Sequence, residues 1–156
     1  MGKRQARTFE FEVNRVSSAP PGTLFRLETD ADAWSRWARP LVMHSRWERE
    51  GEGEQAGPGA IRRVGTWPVL LRERTMTLEP DRLHAYTFVT SRPLKDYQAE
   101  VRFSPNSDGG TDLCWRGSFR ETLPGSGAAA RMVMRAVIGF VSARLVRAAE
   151  RSSTAT

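Results

Sequence analysis

Four side chains in the middle of the sequence could perform acid–base chemistry, and each lies in a segment with the alternation of a strand. Arg62 stands in AIRRVGT, Glu73 in VLLRERTMTL, His84 in RLHAYTFVTS and Tyr97 in DYQAEVRF. A buried titratable group beside an opposite charge can have its pKa moved toward neutrality, which suits proton transfer to or from a ketone. These four residues are therefore the catalytic candidates, and which of them would act stays open.

The strand that carries Glu73 has two possible orientations, because charged residues occur on both of its faces. One face would carry Leu71, Glu73, Thr75 and Thr77, and the other Leu70, Arg72, Arg74, Met76 and Leu78. If Glu73 points inward it needs a partner, which Arg62 on the neighbouring strand could supply. Such a pair could polarise a ligand carbonyl or close the floor of a cavity, and the sequence leaves both the orientation and the role open.

The two histidines differ in their predicted orientation. His84 shares its alternation with Tyr86 and Phe88, so we expect it to point inward at the edge of the sheet interior. His44 alternates with Trp47 and shares its side with Arg46, so we expect it to face water. For both, a structural or solvated role is the alternative to catalysis.

Other kinds of chemistry find little support in the sequence. Cys114 is the only cysteine, so the chain can form no internal disulfide, thiolate zinc cluster or redox pair. It stands in the apolar run DLCWRGSF, which favours a structural thiol. Neither a phosphate-binding loop nor a Ser-His-Asp arrangement, a metal-ligand cluster or a dinucleotide fingerprint occurs, so we expect no metal and no cofactor.

The net charge of +6 raises the question of an acidic partner such as nucleic acid. Nearly all of the positive charge is arginine, and alanine and glycine are also common, a composition typical of a GC-rich bacterial genome. The arginines from Arg131 to Arg151 are interpreted as a solvated helix face, with no nucleic-acid partner. No stretch reaches the roughly 20 apolar residues of a membrane span, so we expect no stable membrane insertion and a cytoplasmic location.

The elements that must position the candidate residues follow from periodicity. Alternation predicts a first strand over 8–16, Pro21 begins a short helix to Glu28, and Asp30 can cap a second helix over 31–38. Six strands follow, near 41–50, 60–66, 69–78, 82–91, 96–103 and 111–119. A long helix over 127–150 ends the domain, which we place at 8–150 with flexible tails at 1–7 and 151–156.

Six consecutive strands with short connections must be mostly antiparallel, because parallel neighbours need crossovers of a dozen or more residues. Their apolar face must be covered, and the last helix is the only element large enough. That helix has a wide apolar stripe, so we expect it to be gripped on more than one side. The fold class is therefore α+β, with a seven-stranded curved antiparallel sheet around a long C-terminal helix.

The order of these elements and several local patterns resemble the polyketide cyclase/dehydrase group of the START-like (SRPBCC, Bet v 1-like) superfamily. The matching pieces are DADAWSRWARPL, GPGAIRRV, LLRERTMTLEPDRLHAYTF and GGTDLCWRGSF, and the resemblance covers Thr8 to Glu150. It implies a helix-grip fold, with two short helices after the first strand and a pocket between sheet and helices. Family members use that pocket for sterols, lipids, plant hormones or polyketide intermediates.

Alternation supplies the side chains that would line such a pocket. The strands contribute Trp47, Tyr86, Phe88, Tyr97, Val101, Phe103, Leu113, Trp115 and Phe119, and the helix adds Val133, Val137, Phe140 and Val141. Rings of this size can fill a core or contact a ligand, and both interpretations stay open for each residue. Five tryptophans favour a lined cavity, because a buried indole N–H needs a partner.

Three functions remain from the sequence. The leading hypothesis is binding of a hydrophobic, lipid-like or polyketide-like small molecule in an internal cavity. The second is a cyclase or dehydratase acting in the same cavity, which would be indicated by an inward polar pair. The third, an interaction protein for membranes or nucleic acid, would need the arginines of the last helix clustered on an exposed face with nearby aromatics. The ligand and the choice between monomer and dimer stay open.

Overall fold

The computed structural model describes residues 7–154. Strand β1 (Thr8–Ser17) is followed by helix α1 (Pro21–Thr29), a 3₁₀ turn (Ala31–Ala33) and the one-turn helix α2 (Trp34–Trp37). The remaining elements are β2 (His44–Arg49), β3 (Ile61–Thr66), β4 (Val69–Glu79), β5 (Leu83–Phe88), β6 (Lys95–Pro105), β7 (Thr111–Arg120) and helix α3 (Gly127–Thr154). The predicted order of elements is confirmed.

All seven strands form one antiparallel sheet in the order β1-β7-β6-β5-β4-β3-β2. Strands β2 to β7 therefore follow the chain as a meander, and the first strand closes the series by pairing with the last. This leaves β1 and β2 as the two edges. The α+β class predicted from the sequence is confirmed.

The segment between β1 and β2 is built by capping and by tryptophan contacts. Asp30 accepts a hydrogen bond at Oδ1 from the Asp32 N–H at 3.0 Å, as expected of a cap. The predicted second helix is shorter than expected, because its first turn is 3₁₀ and only residues 34–37 are α-helical. Trp34 and Trp37 still share one side, with ring centroids 4.6 Å apart. This pair covers part of the inner face of the sheet.

Helix α3 lies along the edge strand β1. Its buried residues Ile138, Val141, Leu145 and Ala149 recur at helical spacing, and Arg15 of β1 donates a hydrogen bond to the carbonyl of Gly139 at 2.9 Å. At the start of the helix a Cβ on Gly127 would lie only 1.9 Å from the ring of Phe9. Glycine thus allows α3 to begin in direct contact with β1.

Helix α3 is held on more than one side, as expected, because it contacts β1 and β7 of the sheet and also α1 and α2. Two other predictions about α3 are wrong. Val133 and Phe140, which were expected in the interior, are 59% and 40% exposed. Their positions along the helix turn them away from the buried side, so neither lines the interior, whereas Val137 is half-buried. Residues 151–154 continue α3 instead of forming a tail; residues 1–6 and 155–156 lie outside the described part of the chain. Within 7–154, none of the helices is long and apolar enough to cross a membrane.

Candidate functional site

Four strands place one row of side chains on the inner face of the sheet. Trp47 of β2 lies opposite Arg62 of β3, Arg62 lies opposite Glu73 of β4, and Glu73 lies opposite Phe88 of β5. The structure thus resolves the orientation that the sequence left open, because Glu73 is buried while Arg72 bonds to Glu48 on the outer face at 2.9 Å. An inward polar pair, Arg62 with Glu73, stands in the middle of this row.

Arg62 is the centre of a buried polar cluster that includes Glu28 of α1. Its Nη2 lies 3.0 Å from Oε1 of Glu28 and 3.5 Å from Oε2 of Glu73. Its Nη1 donates to the main-chain carbonyl of Glu28. The guanidinium carbon lies 4.5 Å from the ring centroid of Trp34 and 5.1 Å from that of Tyr86, so aromatic faces also stabilise the charge.

His84 joins the same cluster from β5, pointing inward as predicted. Its Nδ1 lies 2.8 Å from Oε2 of Glu28 and its Nε2 lies 3.0 Å from Oγ1 of Thr75. Because an ionised carboxylate can only accept, Nδ1 carries the hydrogen of the first bond. The order carboxylate, imidazole, hydroxyl is that of a nucleophile relay, but all three side chains are buried. In this conformation the relay therefore holds α1 to the sheet.

The two carboxylates of the cluster have opposite shifts. Burial alone would raise the pKa of Glu28, but the charges and hydrogen bonds of His84 and Arg62 outweigh it and lower that pKa. Burial dominates at Glu73 and raises its pKa despite the charge of Arg62. We take Glu28 as the ionised partner of Arg62, because its contact is 0.5 Å shorter, at 3.0 against 3.5 Å. Burial also raises the pKa values of Tyr86 and Tyr97.

These shifts predict opposite pH dependence for two matched variants. The lowered pKa of Glu28 contributes stability above its ordinary value of 4.5, which is lost as the pH falls through the folded-state pKa. The raised pKa of Glu73 contributes stability below 4.5, which is lost as the pH rises through its folded-state pKa. Relative to the wild type, Glu73→Gln should therefore gain stability as the pH rises above 4.5. Glu28→Gln should lose stability relative to the wild type as the pH rises toward 4.5, because only the wild type gains the contribution of Glu28 there.

Urea unfolding across a series of pH values measures both slopes. Parallel plots of the free energy of unfolding against pH for the wild type and Glu73→Gln would contradict the raised pKa of Glu73. If Glu28→Gln is too unstable to study, the slope of Glu73→Gln alone decides the matter.

Sequence reasoning missed Glu28, the residue that joins most members of the cluster. A signal was present, because Leu24 and Phe25 lie four and three positions before it and share its face of α1. A glutamate on the apolar face of a short helix indicates a buried charge with a partner. Alternation places Thr75 on the same face of its strand as Glu73, but it does not indicate the contact of Thr75 with His84.

The five tryptophans differ in how their indole N–H groups are satisfied. Trp34 donates to the carbonyl of Glu28 at 2.7 Å, and Trp37 donates to the carbonyl of Leu27 at 3.1 Å. Trp115 donates to the hydroxyl of Tyr86 at 3.2 Å, and Trp67 is 77% exposed. The indole N–H of Trp47 is buried and, among residues 7–154, has no hydrogen-bond partner.

The predicted lining residues fall into three groups. Eight are buried and pack into the core: Tyr86, Tyr97, Val101, Phe103, Leu113, Trp115, Phe119 and Val141. Three are half-buried and keep some accessible surface: Trp47, Phe88 and Val137. Val133 and Phe140 are exposed, as described above. Apolar surface for a ligand on the inner side is thus concentrated on the half-buried group rather than on the large buried rings.

A separate groove of about 880 Å³ crosses the opposite, outer face of the sheet. Its charged residues bond largely to one another, since Arg116 Nε lies 2.8 Å from Oε1 of Glu100 and Arg116 Nη1 lies 3.9 Å from Oε1 of Glu12. No buried unpartnered group points into it among the described residues. We therefore place the candidate site on the inner face, with the polar cluster.

The fold is shared with solved structures of low sequence identity. A crystal structure of Ara h 8.0201 superposes with a TM-score of 0.69 at 16% identity, covering 92% of this chain and 98% of the other. A Staphylococcus aureus protein of unknown function, SA2116, gives a TM-score of 0.77 at 12% identity, covering 97% and 99%. The seven-stranded sheet and long C-terminal helix are thus a Bet v 1-like helix-grip fold.

Residues 8–151 match the family described as polyketide cyclase/dehydrase and lipid transport. The chain belongs to this family, which lies within the START-like superfamily that its sequence resembles. A search of curated proteins finds no match.

Proposed function

We propose that the domain binds a hydrophobic small molecule with an oxygen acceptor on the inner side of the sheet, where the indole N–H of Trp47 donates to that oxygen. The observation that carries this proposal is the buried Nε1 of Trp47, which has no partner in the described chain. A buried donor without a hydrogen bond costs roughly 1–3 kcal/mol. An acceptor on a ligand would remove that cost.

The neighbourhood of Trp47 suits an oxygen acceptor. Arg62 lies directly opposite Trp47 in the β2–β3 pair, and its charge stays positive because its pKa is raised, despite burial, by Glu73 and Glu28. A carbonyl or hydroxyl oxygen near both groups would gain from the hydrogen bond and from the positive potential. A carboxylate head group would meet the same chemistry.

Half-buried apolar side chains supply the surface for the rest of such a molecule. Leu71 and Phe88 lie on the inner face of β4 and β5, and Phe88 stacks on Tyr97 with centroids 4.0 Å apart. Met134 and Val137 of α3 are also packed against the core while keeping part of their surface accessible. Ligand sites are commonly apolar with a few placed polar groups, and this combination has both. The family description, which names polyketides and lipids, supports the same class of ligand.

The variant Trp47→Phe tests the proposed donor. It keeps an aromatic ring and removes the N–H, so it should weaken binding of a ligand with a carbonyl by about fivefold, the value of a neutral hydrogen bond of about 1 kcal/mol. Displacement of a fluorescent apolar probe by matched pairs of ligands, one with and one without the carbonyl, measures this. The ligand that lacks the carbonyl should bind both proteins equally.

Trp67→Phe is the matched control, because Trp67 is 77% exposed in the β3–β4 turn. This change should leave both affinities unaltered. The proposal fails if no ligand displaces the probe from the wild type, or if Trp47→Phe lowers both affinities of a pair equally.

A second candidate, proton-transfer chemistry on the bound molecule, is favoured by Glu73. This carboxyl has a raised pKa and only one hydrogen bond among the described residues, the 3.5 Å contact with Arg62. A buried carboxyl with a raised pKa is a candidate general acid, which would protonate the leaving hydroxyl in the dehydration of a β-hydroxyketone. Mass spectrometry of the ligand recovered from the displacement experiment separates the two functions: unchanged mass supports binding alone, and the loss of one water supports a dehydratase.

A further inference from the structure

Helix α3 has an exposed face on the side that points away from β1. Val133, Ala136, Phe140, Arg147 and Arg151 are all exposed, and their spacings of three, four, seven and four place them on one face. We call these five residues the α3 outer face. Its first half is apolar and its second half is basic. From residue 133 to residue 151 it extends for about 27 Å.

The exposed apolar surface is larger than a solvated helix face requires. Val133 and Phe140 are 59% and 40% exposed, and Met132, next to Val133 in the chain, is 69% exposed. Several large apolar side chains close together on a surface indicate an interaction site.

The charge of the helix is one-sided. Between Gly127 and Ala149 the helix contains arginines but no aspartate or glutamate. The first acidic residue, Glu150, is turned toward the end of β1, where it accepts hydrogen bonds from the hydroxyl of Ser17 and the N–H of Ser18. Glu150 lies three positions after Arg147 and directly before Arg151, but its carboxylate is bonded to the end of β1. Charge complementarity therefore indicates an anionic partner for the arginines of the α3 outer face.

We propose that the α3 outer face docks on the surface of a bilayer that contains anionic phospholipids. A basic helix with exposed apolar side chains can lie in the interface plane, with the apolar groups at the acyl boundary and the arginines on the head groups. The face is too polar for insertion across a membrane. A second copy of the chain fits less well, because the α3 outer face contains no acidic residue, so a two-fold contact between two such faces would leave the arginines without an anionic partner.

Sedimentation of the full chain with phosphatidylglycerol and with phosphatidylcholine vesicles tests the proposal. The protein should bind the first and not the second. Since each basic residue near an anionic surface contributes about a fivefold change in partitioning, Arg147→Gln with Arg151→Gln should weaken binding by about 30-fold. The control removes two exposed arginines elsewhere, Arg46→Gln with Arg74→Gln on the outer face of the sheet, and should retain most of the binding.

A second variant tests the apolar half of the α3 outer face. Phe140→Ser with Val133→Ser should weaken binding roughly tenfold or more if both side chains enter the interface, with an unaltered unfolding midpoint. Four results would overturn the proposal: no binding to anionic vesicles, equal loss in the control pair, binding of single-stranded nucleic acid in place of vesicles, or a dimer that the Phe140 and Val133 changes dissociate.

Discussion

Replacing Arg62 with methionine is expected to lower the free energy of unfolding by about 3–5 kcal/mol, the usual cost of removing one partner of a buried ion pair. Glu28 and Glu73 would remain buried without the charge that now lies 3.0 and 3.5 Å from them. Methionine fills much of the space of the arginine stem, so most of the loss would be electrostatic. Urea unfolding at neutral pH measures it.

Arg63→Met is the matched control, because Arg63 is the next residue of the same strand and points outward. Its contact with Glu48 at 3.3 Å is between side chains that are about a third exposed, and such surface pairs contribute roughly 0–1 kcal/mol. Equal losses for Arg62→Met and Arg63→Met would show that the buried cluster does not stabilise the fold.

A second change tests whether the loss comes from unpaired charge. In the Arg62→Met protein, the further change Glu73→Gln should recover part of the stability, since it removes one of the two carboxyl groups left without a cation. If Glu73→Gln only adds its own loss, the damage from Arg62→Met comes from packing rather than from charge.

The fold could be predicted from the sequence because most strands have one apolar and one polar face. β6 and β7 show this well: Tyr97, Val101 and Phe103 alternate with polar residues, and the turn between the strands contains Asn106 and the pair Gly109 and Gly110. Alternation of this kind determines which face is buried. The register and the order of the strands then follow from short antiparallel connections.

The orientation of Glu73 could not be predicted in the same way. Both faces of β4 carry charges, so the pattern within the strand does not decide which face is buried. Glu73 is buried because Arg62 of β3 pairs with it and because His84 of β5 and Glu28 of α1 lie in the same cluster. Such long-range pairing is not visible in the local pattern of any one segment.

The exposure of Val133 and Phe140 on α3 could not be predicted for a related reason. Val133 and Phe140 are apolar, and apolar residues are predicted to be inside. Helix α3 packs on β1 along one edge of the sheet and against α1 and α2, so the stripe through Ile138, Val141 and Leu145 is buried while the opposite side stays exposed. An exposed apolar residue can be distinguished from a core residue only when the width of the covering surface is known. That width is a property of the assembled sheet.

Trp115→Ala is expected to lower the free energy of unfolding by about 3–5 kcal/mol, as for other buried aromatic side chains. Trp115 is fully buried in the middle of β7, it packs edge-on against Trp34 with centroids 6.1 Å apart, and its N–H is bonded to the hydroxyl of Tyr86. Truncation would leave a cavity at the contact between the sheet and α2 and would remove one hydrogen bond of the Tyr86 hydroxyl. Trp67→Ala in the exposed turn between β3 and β4 should change stability by less than about 0.5 kcal/mol. Thermal and urea unfolding of the two variants give the comparison, and a wild-type melting temperature for Trp115→Ala would show that this ring is not part of the core.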